Sequence, residues 1–302
     1  MYIPISLSSP KLELGERELK QYLKRIGASY DHLGELRYLN HLHHRHLLSV
    51  PFENYDIVNK IHIELEWPNL FDKIIIRKRG GFCYELNYMF SWMLKNTFYE
   101  VDLISANVYS RGKFPVNDSN LPKSTFDLLI NDWVAGKLGQ NFDHLCLIIN
   151  TSNGKYLADV GFGGLFIHPL KIEIGVVTEQ RSGTWRIVDG INNKYILEKF
   201  YNNIWLPIYK FSTTTYDIKN FSQMLNYHST SPKSTFTQFS QAQILTENGR
   251  ASFNGNMLSI KKENLIVSQK EVSIEEFKYY LEHIFDFLPS EIEQITNGNY
   301  FL

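Results

Sequence analysis

The chain has 302 residues, 43% hydrophobic and 21% charged, with 31 Lys and Arg against 32 Asp and Glu. These are the proportions of a folded globular protein long enough for two or three domains. A net charge of −1 gives no electrostatic footprint for nucleic acid or an anionic membrane, and two cysteines exclude a disulfide framework.

The N-terminus, Met1-Tyr2-Ile3-Pro4-Ile5-Ser6, lacks the basic and long apolar regions of a signal peptide, and no apolar run approaches a membrane span. A free thiol suits a reducing compartment, so the cytosol is the expected location. Leu19, Tyr22, Leu23 and Ile26 form the apolar stripe of a first helix, which Gly27 ends. His41, His43, His44 and His46 share a second predicted helix. No cysteine or carboxylate pattern accompanies them, so they read as a packed or solvated face and no metal site is predicted.

Arg79-Gly80-Gly81-Phe82-Cys83-Tyr84-Glu85-Leu86-Asn87 places a cysteine after a glycine turn at the start of an amphipathic helix. Leu86, Met89, Phe90, Met93 and Leu94 supply the helical spacing, and Cys83 falls on the buried face of the first turn. A helix N-terminus favours a thiolate and offers N–H donors to an oxyanion. Glu53 and Arg79, flanked by apolar residues and glycine, are expected to form a buried ion pair with no other evident partner.

His144 opens the run Leu145-Cys146-Leu147-Ile148-Ile149, read as a buried strand, and Cys146 within it reads as inert core. Thr151-Ser152-Asn153-Gly154 is a turn, and Lys155 to Val160 is the returning strand. A hairpin pairing Asn150 with Lys155 puts Asp159 diagonal to His144 on the same face. Asp159 then orients the imidazole, and His144 takes the proton of Cys83. Gly161-Phe162-Gly163-Gly164 lacks the spacing of a dinucleotide fingerprint. Further strands are predicted at 101–104, 170–174, 184–188 and 195–197, the last two around an Asp189-Gly190 turn. Ser273-Ile274-Glu275-Glu276 is the capping box of a closing helix.

The Arg79 to Asn87 segment resembles the active-site signature of the arylamine N-acetyltransferase family. Val50-Pro51-Phe52-Glu53-Asn54, Tyr156 to Gly164, and Asn226-Tyr227-His228-Ser229-Thr230-Ser231-Pro232-Lys233-Ser234-Thr235-Phe236 resemble three further family segments in the same order. The likeness runs from the Tyr22 to Gly27 helix end to about Leu258. It implies an α+β multidomain fold with a cysteine-protease-like core: a helical bundle over 1–98, a β-barrel over 99–208 and an α/β lid over 209–302. It implies Cys83 as nucleophile, His144 as base and Asp159 as orienting carboxylate. Acetyl-CoA is the implied co-substrate, contacted by Gly161, Phe162, Gly163, Gly164, Thr230, Ser231, Pro232 and Ser234. Small aromatic amines, hydrazines or hydroxylamines are the implied acceptors, and neither metal, nucleic acid nor membrane is expected. The stretch from Cys83 to His144 is longer than the family's. The excess lies within Tyr109 to Phe142 and reads as a loop insertion with an apolar island at Phe126 to Ile130.

Three other readings share these residues. A Cys-His-Asp hydrolase of papain or transglutaminase type needs the triad but not the Ser229 to Phe236 segment, and turns over peptides instead of acyl-CoA. An amide synthase of the same fold differs in its biosynthetic setting. A binding protein with an inert pocket would leave Cys83 unreactive.

Overall fold

A computed structural model of the chain describes residues 13–30, 34–111, 131–263 and 265–298. The segment 1–6 and the apolar island Phe126 to Ile130 lie outside the described residues.

The first region is helical. Tyr22 and Leu23 of α1 (Glu13–Arg25) are buried, and Gly27 closes the helix in the left-handed conformation at φ 62°. α2 (Glu35–Ser49) turns Tyr38, Leu39, Leu42, His43, His46 and Leu47 inward. After β1 (Phe52–Glu53), α3 (Tyr55–Val58) and α4 (Trp67–Phe71), a π-helical turn at Asp72–Ile76 leads to α5 (Cys83–Lys95). All of α5 except Tyr88, Trp92 and Lys95 is buried. A helix so enclosed is fixed by packing on several sides, which makes its first turn a rigid platform.

The central sheet holds β2 (Glu100–Ser110), β3 (Lys137–Leu138), β4 (His144–Thr151), β5 (Gly154–Ala158), β6 (Leu170–Lys171), β7 (Val177–Gln180), β8 (Gly183–Asp189), β9 (Lys194–Tyr201) and β10 (Ile204–Thr215). Its order is β6-β5-β4-β2-β10-β9-β8-β7, with β3 on the end of β2, and it curls into a nearly closed barrel. Every pairing is antiparallel. β4 is buried on both faces, which explains its unbroken apolar run. Leu145, Leu147 and Ile149 join the core shared with α5, while Cys146 and Ile148 join the barrel core around Trp185 and Tyr209. The β4–β5 register pairs Asn150 with Lys155, as the hairpin predicts. The strand predicted over 170–174 stops at Lys171, where Glu173 N–H turns back onto the Lys171 carbonyl. The seam expected at 208/209 falls inside β10.

Beyond the barrel lie α6 (Ser222–Thr230) and α7 (Thr235–Gln238). β11 (Gln241–Thr246), β12 (Gly249–Asn254), β13 (Met257–Lys262) and β14 (Leu265–Glu271) then form an antiparallel meander. α8 (Ile274–His283) and α9 (Pro289–Thr296) cover this sheet through Phe277, Leu281 and Ile292. Ser273 and Glu276 make the predicted reciprocal cap, at 3.2 and 3.0 Å. β1 pairs with β11 and also bridges to Gly81, so the N-terminal region contributes the edge strand of the lid sheet. The architecture is therefore a helical bundle, a β-barrel and an α/β lid.

Candidate active site

Cys83 is the first residue of α5 and is 3% exposed. The two glycines before it are demanded by space. A Cβ on Gly80 would lie 1.9 Å from the Pro51 carbonyl oxygen, and one on Gly81 would lie 2.7 Å from Glu85 Oε2. Glu85 closes the turn by accepting from Phe82 N–H at 3.1 Å. Its other oxygen receives Lys73 Nζ at 2.8 Å, and Lys73 also meets Asp56 at 2.6 Å. Arg79 donates to Glu53 at 3.0 and 3.1 Å, to Asp56 at 2.8 Å and to Glu291 at 3.5 Å. The Glu53–Arg79 pair is thus formed and buried, but it is not isolated as expected. It belongs to a charge network joining β1, α3, the π turn, α5 and α9. Burial opposes charge on Lys73 and Arg79, yet the surrounding carboxylates outweigh it and raise both groups.

The β4–β5 hairpin delivers the imidazole and the carboxylate. His144 Nε2 lies 2.7 Å from Asp159 Oδ2, which leaves Nδ1 for the Cys83 thiol beside it. Burial pushes the His144 imidazole down, but the Asp159 carboxylate and the hydrogen bonds to Asp159 and Cys83 prevail and raise it to about 10. Asp159 Oδ1 accepts from Asn87 Nδ2 at 2.9 Å and from Gly161 N–H at 3.0 Å. Asn87, one turn beyond Cys83 on α5, also donates to Leu145 O and accepts from Val160 N–H. It fastens the thiol-bearing helix to both strands of the hairpin. The backbone N–H of Asp159 donates to His43 Nε2 at 3.2 Å, while His43 Nδ1 donates to Ile167 O at 3.0 Å. His43 is therefore a packed helix histidine, as read, and also a brace for Asp159. Neither Asn87 nor His43 was legible as such, because each acts on groups far along the chain.

A cleft of about 820 Å³ opens over Cys83. Cys83, His144, Gly161, Phe162, Ser234 and Phe236 all line it. The Phe162 ring packs edge-on to His144 at 5.2 Å. A Cβ on Gly161 would sit 2.8 Å from Cys83 Cα, so glycine is what lets this loop touch the Cys83 turn. Gly163, at φ 85°, packs against Gln243 of the lid sheet, and neither it nor Gly164 lines the cleft. Ser231 and Pro232 also lie outside its lining. Thr230 faces a second cavity of about 760 Å³ on the other side of α6, with Ile57, Ile61 and Leu225. The described ends of the insertion border the Cys83 cleft through Ser110, Lys137, Leu138 and Gln140. Cys146 is fully buried, and burial pushes its thiol well above the usual range. Among the described residues no cluster of His, Cys, Asp and Glu could hold a metal ion, and no helix is long and apolar enough to cross a membrane.

The sequence matches the N-acetyltransferase family over residues 35–119 and 132–290. It is 28% identical to the pineal gland arylamine N-acetyltransferase isozyme NAT-3 of Gallus gallus, covering 89% of this chain and 93% of that protein. It is 30% identical to the arylamine N-acetyltransferase of Mycobacterium tuberculosis, over 81% of this chain and 80% of that one. The fold matches the Mycobacterium marinum arylamine N-acetyltransferase solved in complex with CoA, with TM-score 0.75 and 24% identity over 91% and 94% of the two chains. A match over most of its length, on a fold that brings Cys83 and His144 together, makes this chain a member of the arylamine N-acetyltransferase family.

Proposed function

We propose that this chain transfers an acetyl group from acetyl-CoA to an arylamine, arylhydrazine or arylhydroxylamine by a ping-pong route through a thioester on Cys83. One observation carries the reading: the Cys83 thiol, the His144 imidazole and the Asp159 carboxylate stand in series, the first two lining a cleft of ligand size and the carboxylate buried behind them. His144 takes the proton from Cys83 Sγ, and the sulfur attacks the acetyl carbonyl. The carbon–sulfur bond to CoA breaks, and His144 returns the proton to the departing CoA thiolate. An amine nitrogen then attacks the new thioester. Its proton passes to His144, and Cys83 leaves as the thiol. One thioester replaces another at little cost, so the acetyl group stays activated between the halves. Asp159 holds the imidazole in the tautomer that presents Nδ1 to sulfur.

Gly161, Phe162 and Ser234, which line the Cys83 cleft, are the proposed coenzyme contacts; Gly163, Gly164, Thr230, Ser231 and Pro232, which the resemblance also implied, lie outside its lining. CoA bound to the Mycobacterium marinum relative supports the class of ligand. The cytosol is the proposed setting. The test is incubation with acetyl-CoA alone, followed by peptide mass mapping. We expect one acetyl group per chain, on Cys83, discharged on adding an arylamine. Absence of the adduct, together with peptide hydrolysis, would establish a protease-like hydrolase instead.

A further inference from the structure

Asp143 immediately precedes His144 but serves a different imidazole. Its Oδ1 lies 3.1 Å from His228 Nε2, and its Oδ2 accepts from Val108 N–H at 3.3 Å. Tyr84, the residue after Cys83, donates its hydroxyl to the carbonyls of Phe142 and Asp143 at 2.7 and 3.2 Å. The His228 ring, on α6, is 7% exposed and packs against Phe236 at 5.3 Å. Its Nδ1 lies 3.2 Å from Ser234 Oγ. Asp143, His228 and Ser234 all line the cleft that holds Cys83, yet the acetyl-transfer steps use none of their hydrogen bonds to one another.

The partners fix the protons. A carboxylate only accepts, so Nε2 of a neutral His228 carries the hydrogen and Nδ1 is an acceptor. Ser234 must then donate its one hydroxyl proton to Nδ1. The same oxygen accepts from Phe236 N–H at 3.3 Å. Ser234 is left with a lone pair and no proton to offer a ligand. The chain of bonds also runs from the strand entry that carries His144 to the turn at 231–236.

We propose that Asp143 and His228 are positioning residues for the coenzyme half-reaction: they hold Ser234 as a hydrogen-bond acceptor toward an N–H donor of the acyl-CoA, and they lock the 231–236 turn to the start of β4. The proposal rests on the acetyl-CoA reading above. It predicts a difference between two substitutions of one residue. His228→Asn keeps an acceptor near the Nδ1 position, whereas His228→Gln keeps a donor near Nε2 and loses the acceptor.

The experiment is single-turnover acetylation of the full chain across acetyl-CoA concentrations, beside the iodoacetamide labelling rate of Cys83 without coenzyme. His228→Gln and Ser234→Ala should each raise the half-saturating acetyl-CoA concentration about tenfold, the loss of one well-placed hydrogen bond. His228→Asn should restore it to within about threefold of wild type, and the double variant His228→Gln with Ser234→Ala should be no worse than either single one. The limiting acetylation rate and the labelling rate should stay within about twofold, since the thiol and its base are untouched. A structural role alone would lower the fraction of active protein without moving the half-saturation point. Unchanged half-saturation in both His228→Gln and Ser234→Ala, or losses that multiply in the double variant, would overturn the proposal. Ser234→Ala removes a single oxygen, so it keeps the test decisive if the histidine variants fold poorly. Wild-type chain that takes no acetyl group would strike the underlying reading instead.

Discussion

Both oxygens of the Asp159 carboxylate are committed: Oδ2 to His144 Nε2, and Oδ1 to Asn87 Nδ2 and Gly161 N–H. Asp159→Asn can keep its oxygen only where those two donors point, so its NH2 must face His144. The ring must then accept at Nε2 and carry its proton on Nδ1, turned toward the thiol, and the base is lost. Acetylation should fall at least about a hundredfold with the thermal midpoint little changed, as wrong-tautomer variants of such triads behave. Single-turnover rates on acetyl-CoA check this, and near wild-type turnover would remove Asp159 from the chemistry. The two cysteines offer a second measurement. Cys146 is fully buried with its thiol held protonated by burial, whereas Cys83 lines the cleft beside His144. Iodoacetamide at mildly acidic pH should label Cys83 more than about tenfold faster, with acetyl-CoA protecting it. Equal labelling would count against an activated Cys83. At this scale the place of Cys83 at the start of a helix was legible because the turn and the helix are adjacent in sequence. The braces Asn87, His43 and Tyr84 were not, since each contacts the hairpin or the segment leading into it only after folding.

Elements explain why the Cys83 turn is held from several sides. β1, α3, the π turn, α5 and α9 meet at the network of Glu53, Asp56, Lys73, Arg79, Glu85 and Glu291. Removing one carboxylate leaves Arg79 buried with less compensation. Glu53→Gln should cost about 3–5 kcal/mol, seen as a lower thermal midpoint, and acetylation should fall only as folded protein is lost. Abolished acetylation with an unchanged melt would give Glu53 a chemical role. The pair was readable from its apolar and glycine flanks. Its extension to Asp56, Lys73 and Glu291 was not, because these residues stand on separate short elements whose packing has no local signal. The β4–β5 register was readable for the opposite reason: a four-residue turn between two apolar runs permits few alternatives. The strand predicted at 170–174 ran too long because apolar alternation continues past the point where the backbone turns away.

Across the whole molecule, two buried histidines on α2 make folding sensitive to acid. Burial lowers His43 to about 4 and His46 well below its usual range. Below about pH 6.5 the unfolded chain binds protons at these sites that the native chain refuses. Stability should therefore fall as pH drops from about 6.5 toward 4, by roughly 1.4 kcal/mol per pH unit for each histidine. Protonated His43 would also set its Nε2–H against the Asp159 N–H. His144, raised to about 10, works in the other direction: its contribution is complete below about pH 6.5 and is lost as pH rises through 10. Thermal melts between pH 7 and 5 check the acid limb, which should be shallower in His43→Gln. An equal slope in that variant would place the effect elsewhere. The plan of bundle, barrel and lid was legible from the order of periodic segments and from the family resemblance. The edge strand that β1 lends to the lid sheet was not, since its partner β11 lies far along the chain. The separation of Cys83 from the His144 hairpin also has a consequence for biosynthesis. The helical region leaves the ribosome with its thiol before His144 has been made. On the proposed reaction, a nascent or truncated chain that ends before His144 should take no acetyl group from acetyl-CoA, and reactivity should begin only once the hairpin has docked on the Cys83 helix.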